Sequence, residues 1–150
     1  MSHCRRAAIA MLGAALFNVA APGAFADVRT RTLEIGGADR TYLLFVPEAP
    51  RAPATGWPLI VALHGGGGTA AQMMGFSRFD AIAAREGFAV AYLRGVGRRW
   101  NDGHVFRGNG ETDADDVAFI RAVVTDIAAS GAHVDRKRIF AAGISNGGFM

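Results

Sequence analysis

Read for apolar and polar positions alone, the chain sets short apolar runs between longer amphipathic stretches. Val28 to Ile35 alternates in part, Gly36-Gly37-Ala38-Asp39 breaks the pattern, and Arg40 to Val46 continues as Arg-Thr-Tyr-Leu-Leu-Phe-Val. This predicts a β-hairpin over 28–46. Residues 47–58 hold four of the five prolines and read as a loop. Residues 59–63 (LIVAL) are continuously apolar, the pattern of a strand covered on both faces. Phe76, Phe79, Ile82 and Ala83 then recur at helical spacing, and Gly87 stands where a C-cap glycine belongs. A second buried strand is expected at 88–93 (FAVAYL), followed by a polar, glycine-rich loop over 94–112. Residues 113–130 predict a helix with Val117, Ile120, Val124, Ile127 and Ala128 on its apolar face. Acidic residues crowd its start, where the helix dipole favours them. Arg138 to Ala142 (RIFAA) predicts a third short strand. Strands alternating with helices imply βαβ units, hence an α/β fold with a mostly parallel sheet flanked by helices.

The first 26 residues follow another logic. Arg5 and Arg6 precede an apolar run from Ala7 to Phe17, and Ala24-Phe25-Ala26 forms an A-x-A cleavage site before Asp27. The run is shorter than the roughly 20 residues a membrane span needs. The expectation is a secretory signal peptide at 1–26 and one domain at 27–150, secreted to the periplasm or beyond, with no membrane span after its removal. The whole chain carries a formal charge of +3, of which Arg5 and Arg6 supply two. The remainder is nearly neutral and shows no basic patch, which argues against nucleic acid as a partner. The one cysteine, Cys4, lies in the leader, so the expected domain forms no internal disulfide. No Cys/His cluster suggests a metal, and nothing calls for a cofactor.

The candidate chemistry lies at two glycine-rich turns. Gly143-Ile144-Ser145-Asn146-Gly147 fits G-x-S-x-G directly after a predicted strand. In that pattern the chain turns so sharply from strand to helix that the serine takes a strained conformation, and glycines on either side leave it room. The turn presents the hydroxyl and the next residue's N–H together. Ser145 is the expected nucleophile. His64-Gly65-Gly66-Gly67-Gly68 follows the first buried strand and reads as an oxyanion loop. Gly66 N–H, with Gly67 as an alternative, is expected to act beside Asn146 N–H. The run lacks the Gly-Lys-Ser/Thr of a phosphate-binding loop. His64 is read as a brace for this loop, His104 as a loop residue, and Asp115 and Asp116 as helix-cap acids. Trp100 lies in the loop at the sheet's carboxyl edge, where open α/β sheets bind ligands, and is a candidate to line a substrate pocket.

Taken together, HGGGG, WNDG at 100–103, DADDVAFI at 113–120 and VDRKRIFAAGISNGG at 134–148 resemble the secreted α/β-hydrolase esterases of the polyhydroxybutyrate depolymerase-like group, with feruloyl and acetylxylan esterases related to it. The likeness covers about residues 28–150. Arg136 departs from it, standing where such sequences carry proline after the aspartate. The resemblance implies a Ser-acid-His mechanism on an ester substrate, passing through an acyl-enzyme at Ser145, with the acid and histidine later in the chain than the elbow. All four histidines precede Ser145. The expectation is therefore a fold truncated after the elbow, and 150 residues that alone are inactive and poorly stable. Two other readings share the motif: a serine peptidase of the prolyl-oligopeptidase kind, and a non-catalytic binding protein of α/β-hydrolase fold.

Overall fold

The computed structural model describes residues 28–48, 52–103 and 113–150. The expected leader and His104 lie outside these residues. The hairpin forms from β1 (Arg29–Ile35) and β2 (Ala38–Phe45). Its turn is only Gly36 and Gly37, at φ 61° and 78°. Two positive-φ residues match the right-handed twist of the strands, so Ala38 and Asp39 join β2 instead of the turn.

Three parallel strands follow: β3 (Trp57–Leu63), β4 (Ala89–Leu93) and β5 (Val134–Gly143). The sheet runs β1-β2-β4-β3-β5, antiparallel through β1, β2 and β4 and parallel through β4, β3 and β5. Leu63 pairs with Leu93 on one side and Gly143 on the other. The carboxyl ends of the three parallel strands are thus level, and the loops leaving them meet at one edge.

Its central strands, β3 and β4, are covered on both faces. β4 is wholly buried, and its side chains divide the core. Ala89, Ala91 and Leu93 pack with Phe119, Val123 and Ile127 of α3 (Asp116–Ala129). Val90 and Tyr92 pack with Ala70, Met73 and Ala83 on the other face. Burying a Phe, Val or Ile side chain contributes about 1.5–3 kcal/mol each.

Two helical expectations change. The stretch read as one helix is two, α1 (Ala70–Ser77) and α2 (Phe79–Glu86), broken at Arg78, whose φ is 51°. The break turns Phe76 out of the core, leaving it 71% exposed. Gly87 does end α2 in the left-handed conformation, its N–H donating to Ala83 O. In α3 the buried stripe is Asp116, Phe119, Val123 and Ile127, while Val117 is about half exposed. The rotation follows from a buried ion pair. Arg40 Nη2 donates to Asp116 Oδ1, and the guanidinium lies 4.1 Å over the Phe119 ring. Asp115 is the cap as expected, accepting from Ala118 N–H, whereas Asp116 is a buried partner of Arg40 and not a cap. Removing one member of such a pair costs about 3–5 kcal/mol, because the other stays buried and charged. Farther along α3, Asp126 accepts two hydrogen bonds from Arg31 and one from Tyr42, which fastens the helix to the hairpin.

Candidate active site

Ser145 sits at φ 51°, ψ −124°, between β5 and the short helix α4 (Asn146–Phe149). A non-glycine residue held there carries about 1–3 kcal/mol of strain. The glycines around it are required by contact. A Cβ on Gly143 would overlap the Gly147 carbonyl, and one on Gly147 would lie 2.6 Å from Leu63 O and closer still to His64 O. The elbow therefore packs backbone against backbone on the end of β3. Ser145 itself is exposed.

The 64–68 loop crosses directly over it. A Cβ built on Gly65 would stand 3.6 Å from Ser145 Cβ, and one on Gly66 the same distance from Asn146 Cβ. The two turns are thus adjacent, and Gly66 faces Asn146. Neither Gly66 N–H nor Asn146 N–H has a partner among the described residues. Gly67, the alternative donor, is spoken for: its N–H donates to Arg98 O at 2.8 Å.

His64 is a brace. It is 2% exposed, its Nδ1 lies 2.8 Å from Gly65 O, and its Nε2 accepts from Gly95 N–H at 3.1 Å. A carbonyl on one nitrogen and an N–H on the other fix the neutral tautomer with the proton on Nδ1. Burial holds its pKa below the ordinary value, and the nearby Arg98 and Arg94 charges push the same way, against the Gly65 carbonyl. With both nitrogens engaged, this imidazole is not placed to take a proton from Ser145. The other described histidine, His133, lies at the far end of β5 with Nε2 3.1 Å from Pro53 O.

Trp100, a candidate pocket wall, is placed otherwise. Its ring is 3% exposed and lies 4.9 Å from the His64 ring. Its Nε1–H donates to His64 O at 2.7 Å. The Asn146 side chain, which the sequence did not single out, holds the Trp100 backbone from the other side. Oδ1 accepts from Trp100 N–H at 2.8 Å, and Nδ2 donates to Trp100 O at 3.0 Å and to Asp102 Oδ2 at 2.7 Å. The signal for it was the co-occurrence of WND and SNGG, two motifs that turn out to bond to each other.

Beside the two turns opens a cavity of about 320 Å³, lined by the 64–68 loop, Gln72, Met73, Phe76 and Ile144. Its walls are glycine backbone on one side and apolar side chains on the other. Among the described residues no cluster of three His, Cys, Asp or Glu side chains is placed to hold a metal. No helix among them is long and apolar enough to cross a membrane.

Comparison with known proteins finds similar esterases. NocK of Nocardia uniformis subsp. tsuyamanensis, named as an esterase, is 38% identical over 133 residues, which is 86% of this chain and 37% of that one. Feruloyl esterase B of Piromyces equi is 40% identical over 97 residues, 62% of this chain and 17% of that one. The chain thus spans little more than a third of the length of the first and less of the second. Among solved structures, an S-formylglutathione hydrolase from Agrobacterium tumefaciens superposes with a TM-score of 0.61 at 18% identity, covering 85% of this chain and 52% of that one. An acetyl xylan esterase from Aspergillus awamori superposes at 0.56 and 22%, covering 79% and 43%. The fold is that of the α/β-hydrolase esterases. Residues 40–150 match the family described as Esterase PHB depolymerase, and the chain belongs to that family.

Proposed function

We propose that this chain carries the nucleophile and the oxyanion hole of a secreted serine esterase. The observation that carries the reading is the strained Ser145 beside two N–H groups, of Gly66 and Asn146, that lack partners among the described residues. Ser145 Oγ attacks the ester carbonyl, and its proton passes to a general base other than His64. The carbonyl oxygen gains charge as the tetrahedral intermediate forms, and the two N–H groups receive it. Collapse expels the alcohol and leaves an acyl group on Ser145, which water then removes. His64 stays neutral throughout and keeps the 64–68 loop in place.

The apolar side of the cavity, formed by Met73, Phe76 and Ile144, suits a hydrocarbon portion of the ester. Polyhydroxyalkanoate, feruloyl and acetyl-sugar esters are the substrate classes in view, the second and third being those named for Piromyces equi feruloyl esterase B and the Aspergillus awamori enzyme. The leader-like pattern at 1–26 supports export, with residues 27–150 belonging to the catalytic domain. The test is hydrolysis of short-chain aryl esters by the whole protein. Wild type is expected to turn over, and Ser145→Ala to fall to the uncatalysed rate. Full activity in Ser145→Ala would overturn the proposal.

A further inference from the structure

One segment touches both halves of the candidate oxyanion hole. Residues 95–102 leave the end of β4 and run between the 64–68 loop and the elbow. Toward the loop they make four bonds: Gly95 N–H to His64 Nε2, Trp100 Nε1–H to His64 O, Gly67 N–H to Arg98 O, and Arg98 Nε–H to Gly68 O. Toward the elbow they make three more, all to the Asn146 side chain, from Trp100 N–H, Trp100 O and Asp102 Oδ2. The segment is itself anchored from below. Asn101 N–H donates to Asp116 Oδ2 at 2.7 Å, and Asp116 is the buried partner of Arg40. The strap is also tightly folded, since a Cβ on Gly95 would overlap the Arg99 carbonyl.

We infer that the 95–102 strap sets the spacing between the Gly66 and Asn146 N–H groups, with the Asn146 carboxamide and Trp100 as its positioning residues. This rests on the esterase reading and adds the part that makes the hole rigid. The two donors sit on separate loops, following β3 and β5, and no hydrogen bond among the described residues joins Gly66 to Asn146. Adjacency alone does not fix a donor pair. A hole that stabilises charge must hold its dipoles before the charge appears, or reorganisation consumes the gain. Here the same residue that offers one N–H uses its side chain to grip the strap, and the strap grips the loop that offers the other. Asn146 thereby does two jobs through different atoms. The backbone N–H faces the substrate, and the carboxamide makes a paired amide-to-amide contact with Trp100.

The test uses the whole protein, an aryl ester substrate and a phenylboronic acid, which mimics the tetrahedral intermediate on serine. Asn146→Ala keeps the backbone N–H and removes the grip. It is expected to lower kcat by about 10–100-fold and weaken boronate binding in proportion, with KM nearly unchanged, because only a transition-state contact has been loosened. Trp100→Phe removes the bond to His64 O and part of the indole's packing against His64, and is expected to shift the same two quantities by a smaller factor. Combined, the two changes should be less than additive, because both loosen one strap. Asp126→Asn serves as the structural control. It weakens the Arg31–Asp126–Tyr42 contact at a distance from the strap and should lower stability while leaving kcat and boronate affinity alone. The inference is overturned if Asn146→Ala raises KM with kcat unchanged, or if Asp126→Asn lowers kcat and boronate affinity as much as it does. A wild-type protein that neither hydrolyses the ester nor binds the boronate overturns the esterase reading and this inference with it. Loss confined to the strap variants, with wild type active, is the result expected.

Discussion

The two glycine-rich turns leave neighbouring strands at the same edge of the sheet, yet their glycines answer to different constraints. At the elbow, Gly143 and Gly147 are fixed by close approach: any Cβ meets the backbone of the turn itself or of the end of β3. In the 64–68 loop, Gly66 has room, the nearest atoms to a Cβ being 3.6 Å away, and Gly67 has open space but a φ of +79°. One turn is packed so that a side chain can be strained and exposed. At Gly66 and Gly67 the other is left uncrowded, so that its backbone stays accessible there, while Gly68 is closed in by Gly65 O at 2.8 Å from a Cβ. A nucleophile needs the first arrangement and an oxyanion donor the second.

The largest break in this comparison comes from the elbow's own side chain. Ser145→Ala should lower ester hydrolysis by a factor of about 10⁴ or more while the protein keeps its denaturation midpoint, read by steady-state rates and urea unfolding. Ser145→Gly should be equally inactive and gain about 1 kcal/mol, because glycine adopts the same backbone angles without strain.

Next come the glycines themselves. Gly147→Ala should cost about 3 kcal/mol, since its Cβ meets two carbonyl oxygens that cannot withdraw without moving β3. Gly66→Ala, by contrast, should leave the urea midpoint within about 1 kcal/mol of wild type. Equal loss of stability from the two would erase the distinction between the turns. Gly67→Ala should fall between them, at about 1 kcal/mol, from its positive φ alone.

The smallest effect is a pH dependence tied to the brace. The His64 imidazole is held below its ordinary value of 6.5 by burial and by nearby arginines. Below that value the unfolded chain takes up a proton that the folded chain resists. Stability contributed by the neutral ring is therefore complete above 6.5 and declines as the pH falls through the window beneath it. Urea midpoints measured from neutral pH downward should show that decline, and His64→Gln should flatten it. An unchanged slope would place the titration elsewhere.

The strands and the two turns were legible because their signals are local. A continuous apolar run needs no partner to be read as a buried strand, and G-x-S-x-G states its own sterics. What escaped was set by contacts across the chain. α3 offers two apolar stripes, and the choice between them depends on Arg40 finding Asp116 from 76 residues away. The break at Arg78 uses a left-handed arginine, which no residue type announces. Trp100 was legible as an aromatic at the binding edge, but its burial depends on His64 and Asn146, which lie 36 and 46 residues distant. The site was therefore readable as a set of functional groups and unreadable as a scaffold. Sequence named the candidate groups at the two turns more readily than the contacts that hold them still.

The most direct measurement is the intact mass of the whole protein after exposure to a fluorophosphonate, with peptide mapping of the adduct. If Ser145 is the activated nucleophile, one phosphonyl group is gained, it maps to Ser145, and ester hydrolysis is lost as it appears, while Ser145→Ala gains none. An unmodified protein, or a phosphonyl group on another residue, would contradict the assignment of Ser145 and the esterase function built on it.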